Sequence, residues 1–150
     1  MQSVKFLLGD IPDNKGRYIS DYHKLTFKQM EELHDYIQWM FPINEPSNFN
    51  LNAPILTKEE TKSKEAAEVI LKNFDRFLAF LNSNPSIFER EYDHNHLRIS
   101  RVIKCLRLFG LKKKLLLFVK FLDSKTINKN LDTVTQHWIE AITKDLWNEN

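Results

Sequence analysis

Residues 57–81 read TKEETKSKEAAEVILKNFDRFLAFL. At the helical step of about 100° per residue, Ala66, Ala67, Ile70, Leu71, Phe74, Phe77, Leu78 and Leu81 fall on one arc of about 140°. Thr57 and Glu60 have the spacing of a capping box at the start of such a helix, and the Asn82 to Pro85 stretch stops it. An apolar stripe of this width needs other elements to cover it, so the fold is decided by what can pack against it.

The flanks supply helices rather than strands. Upstream, PINEPSNFNLNAPIL (residues 42–56) carries three prolines and four asparagines. It reads as a packed loop anchored by Ile43, Phe49, Leu51, Ile55 and Leu56. Before it, Thr26 and Gln29 form another capping-box pattern, and Phe27, Met30, Leu33, Ile37 and Met40 follow at three- and four-residue steps. One helix is therefore expected from Thr26 until Pro42 stops it. Residues 6–25 mix Gly9, Pro12, Asp13, Asn14 and Gly16 with a few apolar residues, as an ordered N-terminal loop does.

Downstream, a helix is expected from near Asn95 to Phe109, with Ile99, Val102, Ile103, Leu106 and Phe109 on one face and Gly110 at the left-handed position after it. Leu97 and Leu108 fall among its basic residues, so contact from more than one side is expected. Residues 111–123 (LKKKLLLFVKFLD) are apolar almost all round after the lysines and suit a short helix buried in the middle of a bundle. A last helix spans roughly Thr126 to Trp147, aligning Ile127, Leu131, Val134, Trp138, Ala141 and Ile142. The expected fold is all-α: a single compact domain over residues 1–150, a bundle of about five helices with an ordered N-terminal loop and a proline-rich loop after the first helix.

Composition narrows the functional classes. Cys105 is the only cysteine, which excludes an intrachain disulfide and points to a reducing compartment. The first residues carry only a brief apolar run before Asp10, too short for a signal-peptide core. The longest apolar run, Leu115 to Val119, falls far short of the roughly 20 residues of a membrane span. A soluble, intracellular and cytoplasmic protein is expected. The net charge is +2, but Arg98, Arg101, Lys104, Arg107, Lys112, Lys113, Lys114 and Lys120 are concentrated between His94 and Leu122 with no acidic residue among them. That segment has the charge for nucleic acid or an anionic membrane surface, or for a solvated helix face balanced by the acidic remainder.

Two motifs suggest metal chemistry. His34-Asp35 is the doublet used by helical metal-dependent phosphohydrolases, with His23 as the available upstream histidine; no downstream segment supplies a further recognisable ligand. Asp93-His94-Asn95-His96 contains a His-x-His pair, which in extended backbone can hold a metal. The alternative there is that His94 or Asn95 caps the following helix. Cys105 sits among apolar helical residues, where a thiol is inert. No metal or cofactor is expected.

Three blocks carry a resemblance. FLLGDIPDNKGR (residues 6–17), HDYIQWMFPINEP (residues 34–46) and HNHLRISRVIKCLRLFGL (residues 94–111) stand in the order, and with the residues, of the N-terminal domain of the opioid growth factor receptor family, which the chain resembles. The tryptophan that the family often places shortly before His94 is absent, with Glu91 or Tyr92 in its place, and Ser100 replaces a threonine. The chain is expected to comprise that domain without the long extension of vertebrate members. The resemblance implies a signalling receptor or peptide-binding module, with Met-enkephalin as the family's peptide, membrane association, and no catalytic reaction.

The expected ligand site joins two blocks: His34, Tyr36, Gln38 and Trp39 from the first helix with His94, Asn95, Arg98 and Arg101 from the third, Arg98 being available to a carboxylate on a peptide or protein ligand. Gln38, Asn95 and Arg98 are costly to bury without partners, so they are expected to meet one another or a ligand. The purely structural alternative is that they tie the Pro42 loop to the basic helix. Arg107, Lys112, Lys113 and Lys114 form the basic patch of the second reading.

Overall fold

The computed structural model describes residues 2–127, 129 and 131–147. Its helices are α1 (Gln2–Leu7), α2 (Ile19–Tyr22), α3 (Phe27–Glu32), α4 (Ile37–Met40), α5 (Lys64–Asn82), α6 (His94–Leu108), α7 (Lys112–Thr126) and α8 (Asp132–Thr143), with 3-10 turns at Glu60–Lys62 and Pro85–Phe88. The protein is all-α, with no strand among the described residues. One set of packed helices joins α1 to α4 and α5, and another joins α6 to α7 and α8. A single apolar core runs through both, from Phe6 and Trp39 by way of Phe74 and Phe77 to Ile103 and Trp138.

The long stripe behaves as expected, with Ala66, Ile70, Phe74, Phe77 and Leu81 of α5 buried. Its beginning differs. The Thr57–Glu60 box forms in both directions, but it opens the 3-10 turn, and Ser63 caps α5 by accepting from the Ala66 N–H. Glu60 is buried because its other carboxylate oxygen accepts from the Val4 N–H at 2.8 Å. A carboxylate at the amino end of α1 satisfies one of that helix's orphan donors. The loop expected over residues 6–25 thus begins inside α1, whose Phe6 and Leu7 belong to the core, and contains the short helix α2.

The helix expected from Thr26 to Met40 is broken into α3 and α4. Its capping box is present, yet Leu33 is extended, with φ −79° and ψ 140°. In a continuous helix the Met30 carbonyl would accept from the His34 N–H. Here it accepts instead from the Tyr36 hydroxyl at 2.7 Å and from Arg98 at 2.6 Å. Side chains from outside the helix thus satisfy the carbonyls freed by the break.

Arg98 is one of three arginines on α6 with this role. Arg101 donates to the Phe41 and Gln38 carbonyls at the end of α4, and Arg107 donates to the Ala141 carbonyl in the last turn of α8. Each places a cation at the negative end of a different helix dipole. Asp93, not His94 or Asn95, caps α6 by accepting from the Asn95 N–H. At the other end Gly110 has φ 70°. The Leu111 N–H bonds to the Leu106 carbonyl and the Gly110 N–H to that of Arg107, the paired closure that a left-handed residue permits.

Helix α7 corrects the expectation of a buried central helix. Only Phe118, Leu122 and Thr126 are buried, while Leu116 and Leu117 are 56% and 44% exposed. It packs on α6 as an outer layer, so one stripe suffices to cover the core. Helix α8 is shorter than the Thr126–Trp147 expectation because α7 continues to Thr126 and leaves Ile127 exposed; Asn128 and Asn130, within that expected span, lie outside the described residues. Val134, Trp138 and Ala141 do face the core. In the proline-rich loop Ile43 and Leu56 are buried and joined by a backbone hydrogen bond, whereas Phe49, Leu51 and Ile55 are exposed.

Candidate functional site

The three sequence blocks meet through side chains. Asp13 of the first block is buried and accepts from the Tyr22 hydroxyl, the Arg17 guanidinium and the backbone N–H groups of Lys15 and Arg17. Burial alone would raise its carboxyl pKa, but these hydrogen bonds outweigh that and hold it below the ordinary value. Gly16 closes this turn with φ 80°. Arg17 then reaches Asp35 of the second block at 3.2 Å, beside Lys15 on the same carboxylate. Burial opposes ionisation of Asp35 too, and its two cationic partners prevail, lowering its pKa.

This arrangement explains the His34-Asp35 doublet. Asp35 is engaged with Lys15 and Arg17, His23 pairs with Asn73 on α5, and the His34 ring sits edge-on against His94 with centroids 5.2 Å apart. Among the described residues, the one His and carboxylate grouping close enough for a metal is Glu31, Asp93 and His94, which includes neither residue of the doublet. Its oxygens already serve the fold. Glu31 accepts from Asn95 and Asn84, and Asp93 caps α6 and faces Arg90. The His-x-His pair lies in helix, not extended backbone, and His96 points to the Ile87 carbonyl.

Between α4, the proline-rich loop and α6 opens a cleft of about 320 Å³, lined by His34, Ile37, Gln38, Ile43, Phe49, His94, Leu97, Arg98, Arg101 and Lys104 with Pro46 to Asn48 and Ser100. Five of the eight expected residues thus share one cavity: His34, Gln38, His94, Arg98 and Arg101. The other three do not line it. Tyr36 is wholly buried beneath it, Trp39 packs on Phe6 with ring centroids 4.9 Å apart, and Asn95 is buried between Glu31 and Arg98.

Arg98 departs from its expected role. Its terminal nitrogens donate to the Met30 and Leu33 carbonyls, the Tyr36 hydroxyl and the Asn95 side-chain oxygen, and its guanidinium lies over the Tyr36 ring. It is held by the protein rather than waiting for a carboxylate. Arg101 is similarly engaged, and burial pushes its pKa down to about 10. Both partner sets are neutral. Among the described residues neither guanidinium has a carboxylate within ion-pair distance, and no Asp or Glu lines the cleft.

Among the described residues, Ser3, Gln38, Trp39, Glu45 and Arg76 each carry a buried side-chain polar atom without a hydrogen-bond partner, and of these Gln38 alone lines the cleft. Its amide N–H donates to the His34 carbonyl at 3.4 Å, but its side-chain oxygen has no partner although Gln38 is only 5% exposed. Sequence reasoning did not find Lys104, Leu97, Phe49 or Ile43 as parts of this cavity. The available signal was Leu97 itself, an apolar residue on the basic side of α6, now 55% exposed at the rim.

Part of the expected basic patch is engaged within the protein. Arg107 is spent on Ala141, Lys114 lies 3.7 Å from Asp75 and Lys104 3.7 Å from Glu45, leaving Lys112, Lys113 and Lys120 exposed. Cys105 is fully buried, which raises its thiol pKa and keeps it protonated. No described helix is long and apolar enough to cross a membrane.

Comparison with known proteins adds the family. Residues 3–84 match the profile described as "Opioid growth factor receptor (OGFr) conserved region". The chain is 30% identical over 153 residues to the opioid growth factor receptor of Mus musculus, covering 87% of this chain and 23% of that protein. It is 30% identical over 152 residues to opioid growth factor receptor-like protein 1 of Xenopus tropicalis, covering 87% and 28%. For the Homo sapiens opioid growth factor receptor the figures are 28% over 133 residues, 74% and 20%. The chain therefore spans about a quarter of the length of the curated relatives it matches. No solved structure matches it. The three blocks, their mutual contacts and this profile lead to one conclusion: the chain belongs to the opioid growth factor receptor family.

Proposed function

We propose that this protein is a non-enzymatic recognition module of the cell interior that binds a short peptide, or a peptide-like segment of a protein, in the cleft between α4 and α6. The observation that carries this reading is the lining of that cleft. Apolar walls from Ile37, Ile43, Leu97 and Phe49 surround a few polar groups, among them cations and histidines, with no carboxylate in the lining itself; Glu31 stands 3.4 Å from His94 and Glu45 3.7 Å from Lys104 outside it. Such a cavity suits a mostly apolar ligand that brings one negative charge. A peptide with a free terminal carboxylate has that chemistry, in keeping with the names of the relatives, which are called receptors of the opioid growth factor.

The reading assigns Arg98 and Arg101 a field rather than a contact: their charges, met by backbone carbonyls, the Tyr36 hydroxyl and the Asn95 side-chain oxygen, with Glu45 acting on Arg101 from outside hydrogen-bond range, raise the potential at the cleft. His34, His94 and Lys104 are the groups at the cavity that a ligand meets first. Calorimetric titration of Met-enkephalin into the wild-type protein and into Leu97→Glu tests it. The expected result is saturable binding to the wild type and at least about tenfold weaker binding to the variant, whose added carboxylate opposes the ligand's own. Equal heats for the two proteins, or none for either, would reject it for this peptide.

A further inference from the structure

We infer that the cleft and a second cavity beyond Leu97 form one groove with opposite charge at its two ends, which takes a short peptide in a single direction: carboxyl terminus toward Lys104, amino terminus toward Glu91. This rests on the reading of the cleft as a ligand site and deepens it. The second cavity, of about 510 Å³, is enclosed by Arg90 to Asp93, the start of α6, and Thr133, Val134 and His137 of α8. His94 and Leu97 line both cavities, so the two meet along one edge of α6. His94, Leu97, Arg101 and Lys104 recur there at three- and four-residue steps, the stripe of one helix face.

The charges divide along that stripe. At the Lys104 end the lining holds Arg98, Arg101 and Lys104 and no carboxylate, while Glu45, outside it, is shared by Lys104 and Lys144. At the other end the lining sets Glu91 and Asp93 against one arginine, Arg90, and Glu31 stands 3.4 Å from His94. The positive end of the α6 dipole lies there too, but Asp93 already caps it. Glu91 is exposed and has no ion-pair partner among the described residues, so it is the carboxylate that a ligand's ammonium meets, and Glu31 adds to the field. The rise along α6 from His94 to Lys104 is about 15 Å, which an extended backbone crosses in roughly four to five residues. A peptide of that length with both termini free finds opposite charge at both ends in one direction and like charge at both ends in the other.

Blocked peptides and charge reversals test the direction. Met-enkephalin, its N-acetylated form and its C-terminal amide are titrated calorimetrically into the wild type, Glu91→Lys and Lys104→Glu. Glu91→Lys is expected to weaken the free peptide and the amide about threefold to fivefold and to leave the acetylated peptide within about twofold of its wild-type affinity. Lys104→Glu is expected to do the converse, weakening the free and acetylated peptides and sparing the amide. If Glu91→Lys weakens all three peptides alike, spares all three, or discriminates by the carboxyl block instead, the direction is overturned, while binding of the free peptide to the wild type leaves the cleft as a ligand site. No binding of Met-enkephalin by the wild type would overturn the direction and the cleft reading together. The wild-type comparison stands even if a variant folds poorly: acetylation is expected to cost about threefold to fivefold, and acetylation without cost would overturn the proposal.

Discussion

A terminal nitrogen of Arg98 lies 2.6 Å from the Met30 carbonyl oxygen, across 68 residues of sequence. The same guanidinium reaches the Leu33 carbonyl, so α6 completes the end of a helix it does not belong to. Lysine at this position offers a point charge in place of a planar fork and cannot meet both carbonyls in the same way. Arg98→Lys is expected to lose about 2–4 kcal/mol of stability, because an ammonium cannot reach all of the acceptors that the fork serves and leaves some of the buried carbonyls or the Tyr36 hydroxyl without a donor. Urea denaturation measures it; a loss under about 1 kcal/mol would show that the break between α3 and α4 does not depend on this contact.

Gly110 provides a cleaner case. A Cβ built there meets nothing within 4 Å, so the cost of Gly110→Ala is confined to the backbone at φ 70°. The expected loss is about 1 kcal/mol, and Gly110→Asn should lose less, since asparagine tolerates the left-handed region better. Thermal unfolding of the two variants checks the order.

Acid sensitivity follows from Asp13 and Asp35, both of which the fold holds below the ordinary carboxylate value. For each, the unfolded chain binds a proton at higher pH than the folded one. Their contribution is therefore complete above about pH 5 and is lost as pH falls through the unfolded value near about 4 and on through the lower folded value. Urea midpoints measured from about pH 7 down to about pH 3 should fall in that window. Asp13→Asn should lower stability at neutral pH and flatten the acid decline. An unchanged acid slope in that variant would reject the assignment.

Much of this fold can be read from local pattern because local physics produces it. Thr26 and Gln29 cap α3 as their spacing says, the α5 stripe is buried, and Gly110 takes the left-handed turn. What was not legible depends on distant partners. The break at Leu33 interrupts a good helical period, and its carbonyls are satisfied by the Tyr36 hydroxyl and by an arginine some 65 residues downstream. Glu60 looks like a local cap, yet it also closes the amino end of α1. The apolar run of α7 suggested burial on all sides, but burial was decided by α7's place outside α6. Of the expected site residues, His34, Gln38, His94, Arg98 and Arg101 line one cleft that joins their two blocks; Tyr36, Trp39 and Asn95 share the same motifs but are buried away from it. A motif read as letters does not separate its packing half from its exposed half.

The charge at the cleft rim gives a further expectation. Lys104 lines the cavity and is 3.7 Å from Glu45. Lys104→Glu should weaken binding of Met-enkephalin by about threefold to tenfold and reduce its salt dependence, chiefly through the association rate. The double variant Lys112→Gln with Lys113→Gln, at exposed positions outside the cleft, should leave affinity within about twofold of wild type. Stopped-flow association at two salt concentrations separates the two cases; the reverse pattern would move the binding surface to α7.

The most direct test of the peptide-cleft account is an NMR map of the amide shifts produced by Met-enkephalin on the isotope-labelled protein. Saturable shifts concentrated at His34, Gln38, Phe49, His94, Leu97 and Lys104 are the predicted result. Saturable shifts confined to α7 and α8, or no saturable shift at all, would contradict it.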